Sequence, residues 1–496
     1  MLLKVAGTDA TKHFKKYHNV EKILKTVAAD YKIGSLSANP TSAVIPNKTS
    51  SSIVVNQTNS EIKADTFETF GDNIPYADPS WYQGHYTPYF NDSHVALRKE
   101  IRDWVEEHVE PYVDEWDASG EIDPQLYHKF GQAGFLSLLT GLKEFPSKYT
   151  NLHPKSVKPQ EIDAFHESII TDELCRPGSG GVVWNLIGGY SIGIPPILKF
   201  AKEEVRSRVV PGVMAGEKRI CLCITEPDAG SDVANLTTTA EKTADGKYYI
   251  VNGVKKWITN GIWSDYFSVA VRTGGKGMDG ISMLLLEKTM PGVSVRKIET
   301  QGMRVSGSTY ITFEDVKVPV ENLIGKENKG FRVVMTNFNH ERIGIIIQAL
   351  RFSRVLYEEA TKHAHERETF GKKLVQHDVI RNKLGQMAIK IESLQHWLDN
   401  LLLQCEKFSD EEAMLRLGGH IAGAKAYASQ TMEFCAREAS QIFGGLAYTR
   451  GGKGGKVERL YREVRAYAIP GGSEEIMIDL SMRQALRVHK FLGNKL

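Results

Sequence analysis

The order of helical and strand-like segments is the feature that most constrains the fold of this chain. From about residue 90 to 215 the sequence has the periodicity of amphipathic helices, as in "HVALRKEIRDWVEEHVEPYVDEW". From about 217 to 325, short β-branched and aromatic runs such as "DYFSVAVRT" alternate with Gly and Asn-Gly turns, which predicts an antiparallel sheet. From 328 onward, four or five long amphipathic stretches follow. We therefore predict an α+β fold with a sheet domain between two helical ones.

Composition excludes several classes of protein. The chain has 496 residues, of which 41% are hydrophobic and 25% charged, as in an ordinary globular protein. Its formal net charge of +2 gives no electrostatic reason to expect nucleic acid as a partner. The sequence contains no run of eighteen apolar residues, so we expect no membrane span. The five cysteines include no CxxC spacing, which favours reduced, intracellular thiols.

Changes in composition along the chain divide it into five predicted segments. The first is Lys-rich and helical, and the second is rich in Ser, Thr, Asn and Pro, which is typical of a linker. The predicted boundaries are 1–35, 36–90 (linker and lead-in), 91–216 (N-terminal helical domain), 217–326 (middle β domain) and 327–496 (C-terminal helical bundle).

Two motifs of the sheet region are candidates for ligand contact. In "CLCITEPDAGSD", a strand runs into Thr225-Glu226-Pro227, and Gly230 permits a tight turn whose backbone N–H groups can face an anion. An ordinary strand-ending turn explains this motif equally well. In "VNGVKKWITNG", a predicted hairpin lifts Trp257 and Thr259 off the sheet, although a lone Trp on a strand more often belongs to the core.

Three further motifs interrupt the C-terminal helices. "RETFGKKL" predicts a helix-breaking bend, and "QIFGGLAYTR" predicts a helix that ends at Gly444-Gly445. In "AIPGGSEEIM", a Gly-rich loop leads into a helix whose N-terminus can hold phosphate or polar ring atoms. Each motif alone is weak, but their order and spacing together form a specific pattern.

Together these motifs resemble the acyl-CoA dehydrogenase family over roughly residues 90 to 490. The resemblance implies an N-terminal helical domain, a middle β domain, a C-terminal four-helix bundle, and FAD as cofactor. It also implies contacts from a neighbouring subunit, hence a homodimer or homotetramer. The implied FAD-binding residues are Leu222, Cys223, Ile224, Thr225, Gly230, Ser231, Trp257, Ile258, Thr259, Arg367, Phe370, Gln441, Ile442, Phe443, Gly444, Gly445, Ser473, Glu474 and Glu475.

The family's reaction requires a carboxylate base, because the Cα proton of an acyl thioester is only weakly acidic. Many members carry this base in a loop before the last helix, and here that position is Gly471. The isovaleryl- and long-chain-type members carry it on a bundle helix, which "NHERIG" resembles with Glu341 at the base position. The implied substrate residues are Ser231, Arg332, Asn339, His340, Arg342, Gly471 and Gly472, with no metal ligand among them.

Other interpretations of the same residues stay open at this point. Glu341 and Arg342 at the start of a helix can simply be solvated, because acidic residues suit a helix N-terminus. A catalytically silent family member, an acyl-CoA oxidase that uses O2, a nitroalkane-oxidase-type flavoenzyme and a non-enzymatic haem or scaffolding protein are the alternatives. The electron acceptor expected for a dehydrogenase is an electron-transfer flavoprotein, a haem domain or O2.

Both ends of the chain suggest further expectations. Residues 2 to 36 resemble the second half of a cytochrome b5 haem domain, with His18 as the remnant of one axial ligand. The final residues "NKL" are close to a peroxisomal signal, so peroxisome or cytoplasm is favoured over mitochondrion. A role in lipid metabolism and fatty acid β-oxidation follows from the resemblance alone.

Overall fold

A computed structural model describes residues 69–493 of the chain. The cytochrome b5-like segment with His18, the linker up to residue 68 and the C-terminal tripeptide 494–496 lie outside the described residues. The fold from residue 69 onward is helical, then sheet-forming, then helical, which confirms the predicted α+β class.

The first helical part contains seven α-helices. They are α1 (Asp92–His108), α2 (Val113–Ser119), α3 (Leu126–Gln132), α4 (Ala164–Cys175), α5 (Gly180–Val183), α6 (Tyr190–Phe200) and α7 (Glu203–Met214). A π-helical turn, Trp184–Gly188, lies between α5 and α6. The stretch Gly180–Phe200 is long and apolar enough to cross a membrane, but 78% of its apolar window is buried inside the molecule, as in a core helix.

The middle part is an eight-stranded sheet. Its strands are β1 (Ile220–Cys223), β2 (Thr239–Lys242), β3 (Tyr248–Ile258), β4 (Tyr266–Arg272), β5 (Ile281–Glu287), β6 (Val293–Lys297), β7 (Thr309–Pro319) and β8 (Leu323–Ile324). Along the sheet the order is β6-β7-β3-β2-β4-β5-β8, and β1 pairs with β4.

The structure corrects two expectations about this sheet. The pairs β1–β4 and β2–β4 are parallel, so the sheet is mixed rather than purely antiparallel. The segment "VNGVKKWITNG" is not a hairpin, because β3 continues through Asn252-Gly253 with a register shift opposite β7. Gly253 has φ +144°, and a Cβ there would lie 2.6 Å from Thr238 Oγ1, so this glycine serves a close approach of strands rather than a turn.

The second helical part begins with the longest helix. It contains α8 (Gly330–Glu366), a short hairpin of β9 (Glu368–Thr369) and β10 (Lys372–Lys373), α9 (Asp378–Lys407), α10 (Asp410–Phe443), α11 (Gly455–Glu463), α12 (Arg465–Ala468) and α13 (Glu474–Phe491). The predicted bend at "RETFGKKL" and the predicted helix end before Gly444 are both present.

Glu341 does not open a helix, contrary to the sequence-based expectation. Helix α8 already begins at Gly330, and Glu341 lies about three turns inside it. The predicted apolar face is present, since Ile343, Ile346, Ile347 and Leu350 are all buried. A first-turn, solvated carboxylate is therefore excluded as the explanation of Glu341.

Candidate active site

Helices α4, α6 and α8, with the π-helical turn before α6 and the loop before α13, line a narrow cavity that we call the catalytic cavity. Its volume is about 80 Å³. Half-buried Glu341 lines it. Its other lining residues include several that are mostly apolar, namely Leu139, Trp184, Ile187, Gly188, Ile192, Thr259, Ile345, Gln348 and Pro470.

The turn Pro470-Gly471-Gly472 faces Glu341 directly. Gly471 has φ +66°, and a Cβ placed there would lie 3.9 Å from Glu341 Oε1 and 2.9 Å from Ile345 Cδ1. Gly472 has φ +101°, and a Cβ there would overlap Met477. Both positions therefore favour glycine, and at 471 and 472 the turn has no side chain beside the carboxylate.

Two cationic side chains hold this turn by its carbonyl oxygens. Arg342 Nε donates to Gly471 O at 2.9 Å. Lys425 Nζ, on α10, donates to Ala468 O at 3.0 Å and to Gly472 O at 2.7 Å. Because these carbonyls are held by two side chains, the turn keeps one backbone conformation beside Glu341.

Burial dominates the electrostatics of the cavity. It raises the pKa of Glu341, although Arg342, His340 and Lys425 act in the opposite direction. Burial also lowers the pKa of Lys425 to about 8. A carboxyl group with a raised pKa is a stronger base than an ordinary solvated one, as a proton-abstracting residue requires.

A buried ion pair fixes the end of β1. Lys255 Nζ lies 2.8 Å from Glu226 Oε1 and donates to Ile224 O at 2.9 Å. The other oxygen of Glu226 accepts from the backbone N–H and the hydroxyl of Thr237, at 2.6 Å and 2.8 Å. Charges buried in this way are stable only with full hydrogen bonding, so the backbone through Thr225 is held in one conformation.

The last residues of β3, and Thr259 directly after it, lie beside this strand end. Lys256 N–H donates to Thr225 O at 2.9 Å. Trp257 has φ +59°, and its side chain is 49% exposed. Thr259 reaches the catalytic cavity past Gly188, where a Cβ would lie 3.0 Å from Thr259 Cγ2. An exposed indole and a threonine that lines the cavity are side chains that would contact the planar ring of an aromatic cofactor.

The remaining predicted cofactor residues of the sheet differ in accessibility. Leu222, Cys223, Ile224 and Ile258 are buried, so only their backbone can face a ligand, whereas Gly230 and Ser231 are exposed in the turn after β1. At the start of α13, Glu474 accepts from Ser429 Oγ at 2.6 Å. Ser473 and Glu475 flank it, and none of these three lines the catalytic cavity.

Another predicted group lies at the far end of α8. The helix carries the chain roughly 38 Å from Glu341 to its last residue. Arg367 and Phe370 follow that end, and Phe370 is 96% exposed. At the nearby end of α10 and in the turn after it, Gln441, Gly444 and Gly445 are exposed, while Ile442 and Phe443 are buried. The structure therefore does not bring these residues to the catalytic cavity of the same chain.

The predicted substrate residues divide between two places. Gly471, Gly472 and Arg342 belong to the turn beside Glu341. Arg332, Asn339 and His340 line a second, larger cavity on another face of α8. Asn339 also approaches Arg342, with its Oδ1 at 3.5 Å from Nη1.

Sequence reasoning missed Lys425 and Glu167, both of which act on predicted residues. Lys425 is fully buried and holds the glycine turn. Its signal was a lone lysine among small residues in "AGAKAYAS", a pattern typical of a helix buried on that face. Glu167 bonds to His340 from 173 residues away, and no local pattern predicts such a contact.

The three-part fold and the cavity lined by Glu341 define a class of flavin-dependent dehydrogenases. The chain belongs to the acyl-CoA dehydrogenase family, whose N-terminal, middle and C-terminal domain models match residues 91–217, 221–316 and 328–486. Proteins of this family bind FAD, and the chain is an FAD-dependent oxidoreductase.

Individual relatives agree with this assignment. The acyl-CoA dehydrogenase apdG of Emericella nidulans is 41% identical over 428 residues, which cover 86% of this chain and 98% of that protein. A probable acyl-CoA dehydrogenase from Mycobacterium abscessus superposes with a TM-score of 0.73 at 33% identity, over 80% of this chain and 100% of that one. The Bacillus anthracis acyl-CoA dehydrogenase complexed with FAD superposes with a TM-score of 0.73 at 25% identity, over 83% of this chain and 71% of that one.

Proposed function

We propose that this enzyme removes the α proton and the β hydride of an acyl-CoA thioester, giving the trans-2-enoyl-CoA, with Glu341 as the base. The observation that carries the proposal is the convergence of Glu341 and Gly471. The loop position that holds the base in many relatives is Gly471 here. Glu341 Oε1 lies 3.9 Å from the place that a Cβ at position 471 would take. Glu341 on α8 thus brings a carboxylate close to the place that a side chain at position 471 would occupy.

The chain's own residues supply binding, orientation and proton transfer. Glu341 takes the proton from Cα, and its raised pKa brings its basicity closer to that of the carbon acid. The backbone N–H groups of Gly471 and Gly472 are the proposed donors to the thioester oxygen, where negative charge develops. Arg342 and Lys425 keep those donors in place through the carbonyls of the turn.

The FAD site of the proposal is built from two chains. Thr225, Trp257 and Thr259 would hold the flavin ring, and bound FAD supplies the acceptor for the hydride leaving Cβ. Arg367, Phe370 and the turn 441–445 would hold the adenosine and pyrophosphate of a neighbouring subunit, since they lie far from the cavity of their own chain. The proposed electron acceptor is an electron-transfer flavoprotein.

Glu341→Gln tests the base. The variant should keep FAD, identified by mass spectrometry of heat-released ligand, and should still bind acyl-CoA. Its rate of flavin reduction should fall by about 100- to 10,000-fold, because general-base catalysis is lost while the site stays filled. In the wild type the rate should rise with pH as Glu341 loses its proton, with a midpoint above the ordinary pKa of 4.5.

Glu366→Gln is the matched control, since Glu366 is an exposed carboxylate at the end of the same helix. It should reduce flavin at the wild-type rate. If acyl-CoA reduces the flavin of Glu341→Gln as fast as that of this control, the base is another residue. A protein that neither contains FAD nor takes it up on reconstitution would refute the proposed function as a whole.

A further inference from the structure

The catalytic cavity shares a thin wall with the second cavity. The second cavity lies between α8, the start of α4, the end of α6 and the turn from α9 to α10, and its volume is about 550 Å³ against about 80 Å³ for the catalytic cavity. Three residues line both cavities, namely Glu167, His340 and Gly344. A Cβ at Gly344 would meet nothing within 4 Å, so this residue adds no bulk to the wall.

The wall therefore consists of one side-chain pair. His340 Nε2 on α8 lies 2.5 Å from Glu167 Oε1 on α4, and the two side chains are 20% and 19% exposed. The imidazole is seated against Gly141, where a Cβ would lie 2.9 Å from His340 Cγ and Nδ1. Gly141 has φ +63°, so this position is suited to glycine on two grounds.

Charge stabilises the closed pair. Burial alone would lower the pKa of His340, but the Glu167 carboxylate outweighs it, so the pKa of His340 is raised and the imidazolium is favoured. Lys199 on α6 opposes this effect, and Glu341 on α8 adds to it. His340 Nδ1 is buried without a hydrogen-bond partner among the described residues, which leaves Glu167 as the ring's one polar anchor there.

The chemistry of the second cavity suits an alkyl chain. Its floor is formed by buried aliphatic side chains, namely Leu138, Leu198, Ile343, Ile347 and Leu402. Charged residues such as Lys143, Arg332 and Asp410 also line it. An aliphatic floor stabilises the methylene groups of an alkyl chain by removing them from water.

We propose that the His340–Glu167 pair is a specificity-determining partition that confines the acyl chain to the catalytic cavity and closes the second cavity to longer chains. The inference rests on the proposed function, because it assigns the acyl group of an acyl-CoA to the space beside Glu341. In this role His340 and Glu167 set the substrate length without taking part in proton or hydride transfer.

The experiment measures kcat/KM for flavin reduction with straight-chain acyl-CoA substrates from butyryl to palmitoyl. The variant is His340→Ala with Glu167→Ala, which removes the pair without leaving one charge buried alone. Beyond the wild-type optimum, each added methylene should raise kcat/KM by about fourfold as the chain enters the second cavity. His340→Gln with Glu167→Gln is the control that keeps two hydrogen-bonding side chains in the wall without their charges, and its optimum should stay that of the wild type.

Ala413→Phe locates the gain, because Ala413 lines the second cavity and not the catalytic one. Alone it should leave the length profile unchanged, and added to the double alanine variant it should abolish the gain. An unchanged optimum in the double variant overturns the inference, as does an equal gain for every chain length, which would place coenzyme A in the new space. If none of the acyl-CoA substrates reduces the flavin of the wild type, the proposed function is refuted instead.

Discussion

Gly471 is the residue at which the position of the base is decided. Its φ of +66° costs an L-residue with a side chain about 1–2 kcal/mol, and a Cβ would press on Ile345 at 2.9 Å. The same Cβ would stand beside the carboxylate of Glu341. A carboxylate at 471 would thus compete with Glu341 for the α-carbon in a native active site, and could replace it when Glu341 is absent.

We expect Glu341→Ala with Gly471→Glu to reduce flavin at least about tenfold faster than Glu341→Ala with Gly471→Ala. Both double variants carry the same backbone strain at 471, so the difference in rate reports the returned carboxylate alone. Rapid mixing with acyl-CoA under anaerobic conditions measures it. Equal rates would show that the Pro470-led turn cannot aim a glutamate at the substrate.

Lys425 is a positioning residue that acts through the glycine turn. Lys425→Met keeps the length of the side chain but leaves the carbonyls of Ala468 and Gly472 without their donor, at a cost of about 1–3 kcal/mol each. We expect a lower melting temperature and a roughly tenfold lower kcat for flavin reduction, with FAD still bound. Lys407→Met, at an exposed position on α9, should change neither quantity, and a similar loss in that control would remove the specific role.

At the scale of elements, the carboxylate that caps α4 also ties this helix to α1. Asp163 Oδ1 accepts from the backbone N–H of Phe165 at 2.9 Å and from His94 Nε2 at 3.0 Å. His166 Nδ1 lies 2.8 Å from the same oxygen. His94 Nδ1 accepts from the backbone N–H of Asn91, which assigns the proton to Nε2. One side chain thereby caps α4 and ties its start to that of α1.

Asp163→Ala should lower the free energy of unfolding by about 2 kcal/mol at neutral pH, because a cap and its histidine contacts are lost. Burial would raise the pKa of Asp163, but the hydrogen bonds from His166 and His94 outweigh it and lower that pKa below 3.8. The stabilisation is therefore complete above pH 3.8 and is lost as the pH falls toward the lower, folded pKa.

Urea titrations of the FAD-loaded protein between pH 6 and pH 3 should show the gap between wild type and Asp163→Ala closing only at the acid end. Asp92→Ala removes an exposed acidic residue from the first turn of α1 and serves as control, with a loss of about 0.5 kcal/mol or less. A gap that stays constant to pH 3 would contradict the assignment of the charge to Asp163.

At the scale of the whole molecule, α13 leaves a row of apolar side chains uncovered. Ile478, Met482 and Leu486 are 51%, 59% and 49% exposed, and their spacing places them on one face. We expect a homodimer or homotetramer in which this face is buried. Met482→Asp with Leu486→Asp should lower the mass measured by light scattering and release FAD, whereas Met278→Asp in the sheet domain should leave both unchanged. A wild type that is monomeric at micromolar concentration would contradict this expectation.

Sequence patterns predicted the large-scale order of elements, because helical and strand periodicities are local properties of the chain. The proximity of Gly471 and Glu341 could also be predicted from the sequence, since both residues lie in recognisable motifs. The prediction of a hairpin turn at Asn252-Gly253 was wrong because the pairing of β3 with β7 overrides the local turn preference of these two residues. The start of α8 was missed because "NKGFRVVMTNF" has no capping side chain at its boundary, and the structure finds none at Lys329.

The π-helical turn Trp184–Gly188 contributes the wall of the catalytic cavity opposite Glu341. Such a turn arises when one residue is inserted into an α-helix that stays continuous on both sides. Deleting one residue would let ordinary α-helical hydrogen bonds form across it, so the bulge would disappear while α6 keeps the face it turns to the core. A single-codon deletion at this point would therefore reshape one wall of the cavity locally, without any change to the base or the flavin site.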